Sequence, residues 1–261
     1  MANNAIYKLG KKEAVQDPRN LKLARYFTPE LPPPPPVCIL SKPIGTKWPL
    51  YHNNDIGICA IASHAHHLMA MTANADGLNR MVIPPEVDVI RAYSQITGYN
   101  PKTGANDYGT VMLDALKFFK KYGLAGRKIL GYAQVDFLNN EIFAQAIHLF
   151  GGVYAGIQLP MAAQHQDFWW APVISRQRRG QYARGSWGGH AVCITDYAGT
   201  DIDEFIGFPT WGGMQRCSWL FKDAYFDEAW VIITEDWLND QGKSPSGLDL
   251  VALNKDLAAL N

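Results

Sequence analysis

The chain has no excess of either charge. Lys+Arg and Asp+Glu number 24 each in 261 residues, which removes any overall electrostatic argument for a nucleic-acid partner or an anionic membrane surface. It has no apolar run near the roughly 20 residues that a membrane-spanning helix needs, and its first residues lack the apolar block of a signal peptide. The expectation is a chain that starts near Met1 and works in a reducing compartment such as the cytoplasm. Four cysteines, Cys38, Cys59, Cys193 and Cys217, stand far apart with no paired C-x-x-C spacing, which argues against a structural zinc site. Cys193 lies in an apolar run and Cys217 among aromatics, so both read as small core residues. No internal repeat is visible, and no motif calls for a cofactor.

What is present is a globular composition, 48% apolar, long enough to bury a substantial core. One stretch organises it: Asn53-Asn54-Asp55-Ile56-Gly57-Ile58-Cys59-Ala60-Ile61-Ala62-Ser63-His64-Ala65. A polar, Gly-containing turn runs into small and apolar residues of helical character, with a cysteine at the junction. Unpaired N–H groups and the positive end of the macrodipole favour an anion there, so Cys59 is expected to have a lowered pKa and to act as a nucleophile. Its candidate base is His190, far downstream in Gly188-Gly189-His190-Ala191-Val192-Cys193-Ile194. His64, His66 and His67 on the same helix invite a metal reading, but only His64 and His67 share a face and no further ligand follows; packing is the expectation and metal binding is not.

Taken in order, residues 1–45 read as an N-terminal arm. Leu21, Leu23, Ala24 and Phe27 are spaced for a short amphipathic turn, and Pro32 to Pro36 form a stiff polyproline spacer of about 15 Å. The arm either lies on its own domain or docks another protein or subunit. Residues 46–235 form the main domain. Helices are expected from Cys59 to about Ala73, from Glu86 through Tyr93, from about Thr110 to Tyr122, and from Asn140 to Phe150. Strands are expected at Ile129–Val135, Val153–Leu159, His190–Tyr197, Phe205–Phe208, Gln215–Phe221 and Ala229–Thr234. Helices first and antiparallel strands after make the class α+β. A tail at 236–261 carries Leu250, Leu253, Leu257 and Leu260 at the spacing of a short amphipathic helix.

Between Asn53 and Thr234 these motifs resemble the papain family of cysteine peptidases, in that family's own order. More loosely, the whole is similar to uncharacterised papain-like proteins of bacteria and their phages. The resemblance implies a two-lobed fold, a helical lobe followed by an antiparallel β lobe. Asn53 stands six residues before Cys59, where the family has an oxyanion-hole glutamine. The stretch Gly104-Ala105-Asn106-Asp107-Tyr108-Gly109 resembles the Gly-rich wall of the substrate cleft, which implies cleft roles for Asn106, Asp107 and Gly109. Pro209-Thr210-Trp211-Gly212 matches the Asn-Ser-Trp-Gly motif only partly: Trp211 falls in the cleft, Pro209 replaces the histidine-orienting asparagine, and Thr210 is the possible orienter one place away. The implied activity is cleavage of peptide or amide bonds through Cys59 and His190, on a peptide or a cell-wall peptide. A phage-type peptidoglycan amidase, or a non-catalytic virion protein that keeps the fold, would carry the same motifs.

Overall fold

The computed structural model describes residues 7–23, 33–202, 204–238, 244 and 246. Its five α-helices are α1 (Cys59–Ala75), α2 (Glu86–Thr97), α3 (Met112–Lys121), α4 (Asn140–Phe150) and α5 (Trp219–Tyr225). The strands form two five-stranded sheets. The first has the order β1 (Leu21–Lys22), β3 (Gly131–Gln134), β10 (Phe226–Ile233), β4 (Val153–Leu159), β6 (Gly188–Ile194); the second has β2 (Val37–Ile39), β7 (Asp196–Ala198), β8 (Phe205–Thr210), β9 (Gly213–Ser218), β5 (Phe168–Trp169). The expected α+β class and two-lobed papain-like architecture are what the chain adopts.

Helix α1 is the hub. Residues from Cys59 through Ala73 are all buried, so this helix is covered on every side rather than half-wet. Its alanines let neighbours approach closely, and α2, α3 and β6 all pack on it. Tyr154 on β4 donates its hydroxyl to the carbonyl of Ala60 (2.9 Å), which ties the β lobe to the helix's first turn. His64, His66 and His67 belong to this core: His66 hydrogen-bonds the Pro49 carbonyl (2.7 Å) and His64 stacks on Phe119.

Three local expectations are revised. The strand expected over His190–Tyr197 is two strands, β6 and β7, which break at Thr195 and join different sheets. The strand expected to run to Phe221 ends at Ser218, whose side chain accepts from the Phe221 N–H and starts α5; a serine before an apolar run is a helix cap as readily as a strand end. Leu21 belongs to a strand parallel to β3 rather than to a helical turn. Ala24 and Phe27, and the C-terminal helix with Leu250, Leu253, Leu257 and Leu260, lie outside the described residues. The prolines dock on their own chain: the carbonyl of Pro35 accepts from the Tyr197 hydroxyl and that of Pro36 from the Gly199 N–H. Among the described residues no helix is long and apolar enough to cross a membrane.

Candidate active site

The turn before α1 is tight. Tyr51 and His52 both take left-handed backbone conformations (φ 52° and 55°), a strained arrangement for residues with side chains. It buries Asn53, whose side-chain Oδ1 has no hydrogen-bond partner. Cys59 follows as the first residue of α1, after an Ile58 cap that offers no side-chain acceptor; the Ile58 carbonyl accepts from the Ile61 and Ala62 N–H groups, and no cap side chain competes for those of Cys59 and Ala60.

His190 lies on β6 opposite Ile157 of β4 and is wholly buried. Its Nε2 is 2.8 Å from the Thr210 hydroxyl, and its Nδ1 is buried without a hydrogen bond. The backbone N–H of Ala191, the next residue, hydrogen-bonds toward the Cys59 thiol. The strand that carries the histidine therefore runs directly past the cysteine.

Thr210 and Trp211 are aimed by a hairpin turn. Thr210 pairs with Gly213 across two linking residues, Trp211 (φ 48°) and Gly212 (φ 82°). Two positive φ values make this a two-residue turn of the kind whose twist matches a β-hairpin. The turn swings the Trp211 indole over His190, stacked at 4.6 Å with an interplanar angle of 21°. Pro209 pairs with Met214 inside the strand, and the hydroxyl that reaches the imidazole comes from the residue after it.

The Gly-rich segment braces the cysteine's turn. Asp107 Oδ1 accepts from the Gly57 N–H (2.8 Å) and from the Tyr93 hydroxyl (2.7 Å), and that hydroxyl accepts from the Gly109 N–H (2.9 Å). Burial raises the Asp107 carboxyl, but Lys8, Tyr93 and Gly57 outweigh it and leave it below the ordinary value. Asn106 (φ 64°) donates to the Gly98 carbonyl, which ties its loop to the end of α2.

The groove between these walls is filled by residues 7–12 of the same chain. Tyr7 stacks on the outer face of Trp211 at 4.2 Å, and Lys8 pairs with Asp107 (2.5 Å). Gly10 passes so close to Gly57 that a Cβ would lie 2.1 Å from the Gly57 carbonyl oxygen, while a Cβ on Gly109 would lie 1.9 Å from the carbonyl oxygen of Gly10. Lys11 then runs between the two lobes. Its N–H donates to the Gly189 carbonyl (3.0 Å), and Thr110 donates to Gly10 and accepts from Lys12.

This covering reverses one sequence expectation. Burial raises the Cys59 thiol, although the amides of Ala191, Gly10 and Ala60 and the charge of Lys11 pull it down; the dipole effect expected from the helix start loses to removal from water. Burial likewise lowers the His190 imidazole to about 3. In this closed form burial favours the neutral thiol at Cys59 and the neutral imidazole at His190. Cys38, Cys193 and Cys217 are also buried and free, with their thiols raised by burial.

Sequence reasoning missed Lys11, Gly156, Asp227 and Glu228, which meet in the groove. Only the adjacent carboxylates at the start of β10 were a possible signal, because Lys11 carries no motif of its own.

No protein-family model matches the chain, and no curated protein matches it in sequence. Solved structures do match. Xylellain, a cysteine protease from Xylella fastidiosa, superposes with a TM-score of 0.65 at 17% identity over 90% of this chain and 98% of its own. Digestive procathepsin L 3 of Tenebrio molitor larval midgut gives 0.54 at 14% identity over 88% and 77%, and the ragweed pollen cysteine protease Amb a 11 in its proform gives 0.50 at 17% over 79% and 67%. What these chains share with the present one is architecture.

Proposed function

We propose that this chain, which has the fold of papain-like cysteine proteases, is a thiol hydrolase that cleaves peptide bonds with Cys59 as nucleophile and His190 as base. The observation that carries the reading is the imidazole's setting: Nε2 rests on the Thr210 hydroxyl, Nδ1 has no hydrogen bond, and the next residue's amide reaches the Cys59 sulfur. With Nε2–H donated to Thr210, the lone pair of Nδ1 is left for the thiol proton.

Once the groove is vacated, Nδ1 takes the proton of Cys59 and the thiolate attacks the carbonyl carbon of the scissile bond. The oxygen that becomes negative is met by the backbone N–H of Cys59 and the side-chain amide of Asn53. The tetrahedral adduct collapses as His190 returns its proton to the departing amine, leaving a thioester on Cys59. Water, deprotonated by the same imidazole, then releases the carboxylic acid and restores the thiol. Every proton taken is given back, and no cofactor enters.

The test is labelling with a peptide bearing a thiol-reactive electrophile, followed by peptide mapping, on protein whose groove has been opened. The expected adduct is on Cys59, with hydrolysis of a peptide library lost in proportion. Labelling confined to Cys38 or Cys217 would sink the assignment. Cleavage of cell-wall peptides alone would move the substrate to peptidoglycan, and no hydrolysis of either would leave a binding protein with a peptidase fold.

Thr210 acts as a positioning residue in this scheme. Thr210→Val should lower kcat on the order of tenfold with KM nearly unchanged, well short of the loss of about 10²–10⁴ expected for removing the base itself. Thr210→Ser, which keeps the hydroxyl, should restore most of it; equal losses in the two variants would remove the hydroxyl from the mechanism.

A further inference from the structure

The groove holds a second piece of chemistry beside the cysteine. Lys11 has a side chain with no exposed surface, and its ammonium lies 2.7 Å from Asp227 Oδ2 and 3.0 Å from Glu228 Oε1. Gly156 on β4 forms the wall of this pocket: a Cβ there would lie 2.1 Å from Lys11 Cε and 2.7 Å from Asp227 Oδ1. The absence of a side chain at that position is what lets a long one enter. Gln158 donates to Asp227 (2.7 Å) and the Trp230 indole donates to Glu228 Oε2 (2.8 Å), so both carboxylates are held in place by the body of the domain.

The acids belong to the domain, and the cation belongs to the segment filling the groove. Glu228 has a side chain only 1% exposed, its carboxyl is raised by burial, and Lys11 is the first of the influences that lower it. With the lysine withdrawn, the buried carboxylate of Glu228 and the largely covered one of Asp227 lack a countercharge, the costly way to break a buried ion pair. Asp227 Oδ1 also has no hydrogen-bond donor even with Lys11 in place, which leaves an acceptor that the branched guanidinium of an arginine is shaped to reach. The backbone of Lys11 meanwhile bonds the residue just before His190, and its neighbours Gly10 and Lys12 bond Thr110 on the opposite wall, where an extended peptide crossing the groove would lie.

We infer that the pocket formed by Gly156, Gln158, Asp227 and Glu228 is a specificity site for a lysine or arginine side chain of the peptide substrate, and that Lys11 occupies it as an internal stand-in. The inference rests on the peptidase reading for the word substrate, and on the pocket alone for the preference. Substrate and Lys11 compete for one seat. An apolar side chain there leaves both carboxylates uncompensated, so the discrimination comes from rejecting the uncharged competitor as well as from attracting the basic one.

The experiment uses the full chain with Lys11→Glu, which puts a third carboxylate in the pocket and ejects the segment. Iodoacetamide should modify Cys59 at least tenfold faster than in the wild type. Peptides identical except for lysine, arginine or norleucine at one position are then compared as protectants of Cys59 and as substrates. Lysine and arginine peptides should protect at least tenfold better and be cleaved with at least tenfold higher kcat/KM. Adding Asp227→Asn and Glu228→Gln should abolish the difference. Should Lys11→Glu fail to fold, Lys11→Met keeps the chain length, removes only the charge and carries the same comparison. Equal protection by norleucine and lysine peptides, or a Cys59 no more reactive than in the wild type, overturns the proposal. Protection by basic peptides without any cleavage upholds the pocket and overturns the peptidase reading.

Discussion

Gly10→Ala should raise the rate of Cys59 alkylation on the order of a hundredfold. An alanine Cβ at this position lies 2.1 Å from the Gly57 carbonyl oxygen and 2.4 Å from its Cα, distances that no packed structure tolerates. Something has to move, and the wall is the stiffer party. Gly57 is held through its N–H by Asp107, which Tyr93 holds in turn, and Cys59 two residues on is the start of a helix buried along its whole core length. The covering segment belongs to no helix or strand, and is held by backbone bonds at Lys8, Gly10, Lys11 and Lys12, a stack of Tyr7 on Trp211, an ion pair from a Lys8 that is itself 44% exposed, and the Lys11 ammonium against Asp227 and Glu228. The segment therefore leaves and the wall stays. Its departure returns water to a thiol whose pKa burial has raised, while the amides of Ala191 and Ala60 remain to favour the thiolate. For a thiol that titrates above the working pH, each unit of fall gives about ten times more thiolate, and the steric cover is lost as well. Circular dichroism should show the fold intact, with iodoacetamide uptake mapped to Cys59. Unchanged uptake in a folded Gly10→Ala protein would mean that the segment is not what shields the cysteine.

The elements that carry Cys59 and His190 were legible because each has a local signature. Cys59 sits where a polar turn meets an Ala-rich run, and His190 follows two glycines in an apolar strand. Helix α4 could be read to the residue, since Asn139 caps its start and Gly151 in a left-handed conformation ends it. The contents of the groove were not legible. Gly10 matters through the space its missing side chain leaves against Gly57 and Gly109, a relation between backbones that no residue pattern encodes. Lys11 meets Asp227 across 216 positions of sequence, and a lone lysine in a basic N-terminal stretch reads as solvated. The raised thiol follows from the same gap. From the sequence the helix start argues for a thiolate, whereas in the structure the burial of Cys59 turns the balance toward the thiol. The placing of Thr210 was half-legible: the departure at Pro209 raised the question of what lies against His190, and the adjacent hydroxyl is 2.8 Å from the ring.

Stability should fall steeply as the pH drops from 7 to 5. Four histidines lie in the core, and burial lowers His64 and His190 to about 3 and His66 and His67 to about 4, from an ordinary value of 6.5. The folded chain keeps these rings neutral well below pH 6, whereas the unfolded chain protonates them as the pH passes 6.5. Across the window between those values the unfolded state binds more protons, so acid favours it. The stabilisation is complete above the unfolded value, shrinks as the pH falls, and is fully lost below about 3. Each histidine contributes a slope approaching 1.4 kcal/mol per pH unit below pH 6.5, which comes to about 2 kcal/mol per histidine between pH 7 and pH 5. Asp196 and Glu228 act against this, because burial raises both carboxyls and the folded chain then takes up protons earlier than the unfolded one. The histidines outnumber them, and for a domain whose whole stability is about 5–15 kcal/mol the net loss is large. At about 2–4 °C per kcal/mol for a chain of this size, the thermal midpoint should drop by more than about 10 °C over those two pH units. His64 provides the internal check. It stacks on Phe119 at 3.9 Å and its Nδ1 has no partner, so His64→Leu gives up no hydrogen bond at that nitrogen and should flatten the pH slope by one histidine's share. A midpoint that stays level from pH 7 to pH 5, or a slope that His64→Leu leaves untouched, would show that these rings are reached by protons without unfolding.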